Sequence, residues 1–121
     1  MNVNQNSRIL ADELAAILDE HKGRDIVLID IEKYSVVADG FLLVSGRNTP
    51  QVQALADALD EKMAEKNIFA KSTEGYATAR WIIKDFGDIL VHVFHSEDRS
   101  FYNLERLWDK GDNITHYEFE E

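Results

Sequence analysis

The 121-residue chain contains no cysteine, which excludes disulfides and thiolate metal sites. That absence fits a reducing compartment. Proline occurs once and glycine six times, and no Pro/Gly-rich stretch marks a linker or an internal domain boundary. No apolar run approaches the roughly 20 residues needed to span a bilayer. The start, Met1 to Ser7, is polar and lacks the basic-then-apolar layout of a signal peptide. A single cytoplasmic domain without a membrane segment is expected.

Positive charge is also scarce. Thirteen Lys and Arg stand against 23 Asp and Glu, a net charge of −10. No two basic residues are adjacent; the closest are Lys22 and Arg24. Nucleic-acid binding draws its affinity from cations that displace counterions from phosphate, so direct RNA or DNA binding is not expected. A basic protein is the natural electrostatic partner, although acidity by itself also keeps a domain soluble.

What is present reads as a mixed sheet with helices packed on it, of about five strands. Ser7 to Lys22 is an amphipathic helix, with Leu10, Leu14, Ile17 and Leu18 at helical spacing and Gly23 as its expected left-handed end. Asp25 to Ile31 and Phe41 to Ser45 read as strands, the second central and covered on both faces. Thr49-Pro50 opens a helix with Val52, Leu55, Ala56, Leu59 and Met63 on one stripe and Asn67 as its cap. Ile68 to Ser72 is a candidate short strand. Arg80 to Phe94 is a hairpin about Gly87-Asp88. Its register pairs Phe86 with Ile89, Lys84 with Val91 and Ile82 with Val93. Trp81, Ile83 and Asp85 then share the other face with Phe94, His92 and Leu90. Ser96 is expected to cap a last helix with Phe101, Leu104, Leu107 and Trp108 as its apolar stripe. Residues 1–108 form the expected domain, and 109–121 an acidic tail, mobile or loosely docked.

Catalytic signals are few. Asp30 and Glu32 would share one face of an extended segment, a spacing able to hold a divalent ion in a nucleotide-processing enzyme. Ser45-Gly46 follows that pair without a glycine-rich phosphate loop, and charges that terminate a strand explain the carboxylates more simply. His92 and His95 are three apart on a strand and should not chelate together. No serine, histidine and acid set forms a triad, and Ser45 lies in no nucleophile-elbow sequence. No catalytic residue, metal or cofactor is expected. Trp108 continues a helical stripe and reads as core. Trp81 opens the mixed face, where core and interface readings stand even.

Several linked stretches then line up with a known family. They are Asp25-Ile26-Val27 leading to Asp30, Ala38-Asp39 with Phe41 and Ser45-Gly46, and Gln51-Val52 with Ala56-Asp57. Glu74-Gly75 before Trp81, Gly87-Asp88 with Val91-His92-Val93-Phe94, and Tyr102-Asn103-Leu104-Glu105-Arg106-Leu107-Trp108 complete them. From the first helix to Trp108 the chain resembles the ribosomal silencing factors, also called the Iojap-like family. The resemblance implies a nucleotidyltransferase-like fold without transferase chemistry. It implies binding to ribosomal protein fourteen of the large ribosomal subunit, steric exclusion of the small subunit and repression of translation. It also implies a possible homodimer, and its interface tryptophan corresponds to Trp81. With Trp81, the expected partner-binding residues are Glu74, Ile83, Asp85 and His92. One departure is Gly40, where the family carries a larger residue after Ala-Asp.

Overall fold

The computed structural model describes residues 5–119, so the first four residues of the polar start and the last two of the acidic tail lie outside it. Helix α1 (Gln5–Glu20) leads to strands β1 (Arg24–Asp30) and β2 (Gly40–Gly46), followed by helix α2 (Thr49–Ala64). A short β3 (Ser72–Glu74) precedes the hairpin of β4 (Trp81–Asp85) and β5 (Ile89–His95). Two short helices, α3 (Ser96–Tyr102) and α4 (Leu104–Trp108), and strand β6 (Ile114–His116) close the chain. The strands form one sheet in the order β3-β4-β5-β2-β1-β6, with β2 and β5 parallel and the other pairs antiparallel.

The two faces are covered differently. On the first, Leu14 and Leu18 of α1 and Val52, Leu55, Leu59 and Met63 of α2 pack on Ile26, Leu28, Leu42, Val44, Ile82, Val91 and Val93. On the second, Val27, Ile29, Phe41, Leu43 and Phe94 are covered by Leu104 and flanked by Trp81 and Trp108. Strand β2 is buried along its whole length, as its continuous apolar run predicts. Burying each large side chain stabilises by about 1.5–3 kcal/mol, so both faces contribute to one core.

The hairpin has the expected register: Ile82 faces Val93, Lys84 faces Val91, and the Phe86 amide donates to Ile89 O at 3.0 Å. Gly87 takes φ +90° in its turn. Helix α2 ends at Ala64 with Glu65 as its cap; Asn67, predicted as the left-handed end, takes φ 61° three residues beyond Ala64.

Several local expectations are corrected. The left-handed residue after α1 is Lys22, at φ 71°, not Gly23. Glycine is required at 23 by packing, because a Cβ there would lie 2.6 Å from Val44 Cγ2. Asn48, not Thr49, caps α2: its Oδ1 accepts from the Gln51 amide at 2.8 Å, and Gln51 Oε1 reaches back to the Arg47 amide at 2.7 Å. The third strand begins at Ser72 instead of Ile68. The Ile68 amide is still engaged with Met63 O, and pairing starts where the Lys71 amide reaches Asp85 O at 2.7 Å.

The last helix is broken in two. His95 is its cap, with Nδ1 accepting from the Glu97 amide at 3.1 Å, and Asn103 turns left-handed (φ 45°, ψ 58°) between α3 and α4. That break rotates the apolar stripe. Leu104 stays buried and Trp108 half-buried, while Phe101 and Leu107 stand 80% and 69% exposed. The segment after Trp108 carries β6, which adds to the β1 edge and makes the sheet six-stranded. Asn113 Nδ2 donates to Asp30 O and Trp108 O, both at 2.9 Å, and the Tyr117 hydroxyl donates to Asp12 Oδ1 of α1 at 2.7 Å.

Candidate functional site

Residues facing one another across a sheet share a side of it. Glu74 of β3 faces Ile83 of β4, which faces His92 of β5, which faces Leu43 of β2. Trp81 and Asp85 flank Ile83 on the same side, because side chains alternate along β4. All five sequence-predicted site residues therefore lie on the second face, toward the edge that α3 and α4 leave partly open. Trp81, Ile83, Asp85 and Leu90 are half-buried, Glu74 is exposed and His92 is 5% exposed.

Trp81 is held from three sides. Its indole stacks on Phe94 at 5.0 Å between ring centroids and lies against Tyr102 of α3 at 4.6 Å. Its Nε1 donates to His92 Nδ1 at 3.0 Å. The loop before it is tightly formed. Gly75 has φ +80°, and a Cβ there would sit 2.1 Å from Trp81 O. Ala79, buried and left-handed at φ 56°, donates its amide to Gly75 O at 3.0 Å. The Tyr76 hydroxyl donates to Asp57 of α2, and Gln53 Nε2 donates to Tyr76 O at 2.9 Å. Arg80 bonds Asp98 and Glu97, which fastens α3 beside the indole.

His92 touches Phe41 edge-on at 4.8 Å as well as Trp81 and Phe94. Burial disfavours its charged form and pushes its pKa down to about 4. It is neutral at pH 7, and its place is beneath the surface that Trp81 and Ile83 present. Asp85 Oδ1 accepts from the Gly87 amide at 2.7 Å, which holds that carboxylate at the hairpin turn.

The Asp30 and Glu32 arrangement differs from the expected extended pair. Strand β1 ends at Asp30, and the chain turns so that Tyr34 and Ser35 amides both reach Ile31 O. Asp30 Oδ1 accepts from the Glu32 amide at 3.1 Å. Among the described residues no group of three or more His, Asp or Glu side chains is placed to hold a metal ion. Gly40 is buried inside the sheet, where an added Cβ would meet Leu28 and Ile89 at 3.1 and 3.2 Å, so it offers no surface contact.

Sequence reasoning missed part of this face. Phe101, Tyr102 and Leu107, with Arg106, line an open hollow of about 500 Å³ along α3 and α4. The helical spacing of Phe101 and Leu107 pointed to the core. Only Asn103, a residue tolerant of the left-handed region, hinted at the break that exposes them.

A family model described as ribosomal silencing factor during starvation matches residues 4–121. The chain belongs to that family. The ribosomal silencing factor RsfS of Bacillus subtilis is 43% identical over 103 residues, covering 85% of this chain and 87% of that protein. The factor of the same name from Halalkalibacterium halodurans is 43% identical over 97 residues, covering 80% and 83%. A crystal structure of a protein from Bacillus halodurans superposes with a TM-score of 0.77 at 36% identity, covering 93% of this chain and 99% of that one. Family membership gives the chain a ribosome-associated role in regulating translation. No helix among the described residues is long and apolar enough to cross a membrane.

Proposed function

We propose that the chain represses translation by docking on the large ribosomal subunit through ribosomal protein fourteen, where its bulk blocks joining of the small subunit. The observation that carries this reading is the open second face. There Trp81, Ile83 and Leu90 form an apolar floor, rimmed by the acids Glu74 and Asp85. A half-buried tryptophan amid apolar neighbours has the make-up of an interface hot spot, where truncation costs about 2 kcal/mol or more. The acidic rim and the net charge of −10 favour a basic protein surface over bare RNA. Trp81 is the anchor, Ile83 its apolar neighbour, and Glu74 and Asp85 the charged contacts. His92 belongs to the site from beneath.

Occlusion requires no catalytic group, so the chain acts as a binding protein in the cytoplasm and not as an enzyme. The same face is also where two copies would meet in a homodimer, and docking and self-association would then compete. Binding of isolated ribosomal protein fourteen, measured by calorimetry for wild type and for Trp81→Ala, tests the assignment. Tight wild-type binding that weakens at least thirtyfold in the variant is expected from a loss of about 2 kcal/mol. Equal affinity for the two would remove Trp81 from the anchor role. No binding by the wild type would remove the partner.

A further inference from the structure

Trp81 and His92 meet across the β4–β5 ladder, and the chemistry of their contact fixes the state of both. An indole nitrogen can only donate, so the His92 Nδ1 that lies 3.0 Å from Trp81 Nε1 must be unprotonated. The neutral ring then carries its proton on Nε2. That Nε2 is buried and finds no hydrogen-bond partner among the described residues. A buried donor left unpaired is unfavourable; an aliphatic side chain of similar size would avoid it, while removing the acceptor that Trp81 Nε1 uses. An imidazole is therefore costly at position 92 for the core, and what it supplies in return is the acceptor at Nδ1.

The rest of the setting points the same way. Phe41 and Phe94 pack on the imidazole and fix its plane, while the indole stacks on Phe94 at 24° and lies tilted at 41° against Tyr102, contacts that carry no directional bond. Ring packing constrains the rotation of the indole less sharply than a hydrogen bond with a defined direction does. Among the described residues, the one hydrogen bond of its nitrogen is to His92.

We infer that His92 is a positioning residue for the docking face: it does not touch the partner but locks the rotation of the Trp81 indole, so that the ring is preorganised before binding. This rests on the reading of Trp81 as the anchor given above. An anchor already held in its bound rotamer does not lose that freedom on docking, which is how preorganisation raises affinity.

The test separates the two claims. In His92→Leu the volume is kept and the acceptor removed. His92→Asn places an amide oxygen near the former Nδ1 and restores it. The expected result is that His92→Leu weakens binding to large subunits roughly tenfold, the worth of one hydrogen bond, with thermal stability close to wild type, since one unpaired donor is exchanged for another. His92→Asn should recover most of that affinity. A purely structural role would instead make affinity follow stability. A direct readout needs no variant: in 15N-labelled wild type, a scalar coupling across the hydrogen bond should link the Trp81 indole nitrogen to His92 Nδ1. Absence of that coupling, or wild-type affinity in a folded His92→Leu while Trp81→Ala loses binding, would overturn the positioning role and leave the anchor intact. Undiminished binding by Trp81→Ala would remove the anchor, and the positioning role with it.

Discussion

Arg99 Nη1 donates to Ser45 Oγ at 2.7 Å, joining the third helix to the end of the central strand β2 across 54 positions of sequence. The same guanidinium bonds Glu105 of α4 through two nitrogens, at 3.1 and 3.2 Å, and Asp25 O at 2.8 Å. One buried cation thus ties α3, α4, β1 and β2 together, and it holds the helices that frame the docking face.

Removing Arg99 should be among the most damaging single changes outside the apolar core. Arg99→Ala leaves Ser45 and Asp25 O without their partner and Glu105 uncompensated in a half-buried place. The expected loss is about 3 kcal/mol, read as a lower urea midpoint with an unchanged slope. Arg99→Lys should recover only part of this, since an ammonium cannot present the planar fork. A loss below about 1 kcal/mol for Arg99→Ala would show that the clamp is not structural.

The pH dependence of stability should carry the signature of His92. Its folded pKa is depressed, from 6.5 to about 4. The unfolded state therefore binds the proton more tightly, and the contribution is fully present above pH 6.5. It is lost progressively as the pH falls from 6.5 toward 4, by at most on the order of 3 kcal/mol. Denaturant titrations of wild type and His92→Leu across that window check this. The wild-type slope should exceed that of the variant, and parallel curves would contradict the assignment.

The loop before Trp81 should tolerate change at one left-handed position and not at the other. Gly75→Ala would place a methyl group 2.1 Å from Trp81 O at φ +80°. A loss of several kcal/mol is expected, together with displacement of the indole. Ala79 already holds an alanine at φ 56°, so Ala79→Gly should relieve strain and come out within roughly 1 kcal/mol of wild type. Thermal melts of the two variants give the comparison.

Asn113 should govern how firmly the C-terminal segment closes the sheet. Its side chain accepts from the Lys110 amide at 2.8 Å and donates to two carbonyls, while its backbone oxygen accepts from the Asp30 amide at 2.8 Å. Asn113→Ala should cost about 1–3 kcal/mol locally. Faster hydrogen exchange at the Asp30 and Tyr117 amides, with little change at Val91 or Val93, is the expected pattern. Uniformly faster exchange would mean that β6 is integral to the global fold.

The parts of the molecule legible in the sequence are those written in short-range pattern. Gly87-Asp88 between two alternating runs defined the hairpin, its register and the face bearing Trp81, because side-chain alternation on a strand leaves little choice. The run from Phe41 to Ser45 marked a strand covered on both sides. What escaped depends on distant partners or on local caps that the residue type does not announce. The ring of His95 caps α3, a role usually filled by Ser, Thr, Asp or Asn. Ile114-Thr115-His116 is too short to announce a strand until β1 offers an edge. The break at Asn103 turned Phe101 and Leu107 outward although their spacing suited a buried stripe. Alternation put His92 on the site face but could not say that Phe41, Phe94 and Trp81 would bury it.

The most direct test of occlusion is sedimentation of large subunits preincubated with the protein and then offered small subunits. The account predicts that the protein travels with free large subunits, that assembled ribosomes fall in proportion to its occupancy, and that Trp81→Ala does neither. Full assembly of ribosomes with the protein still bound to them would contradict it.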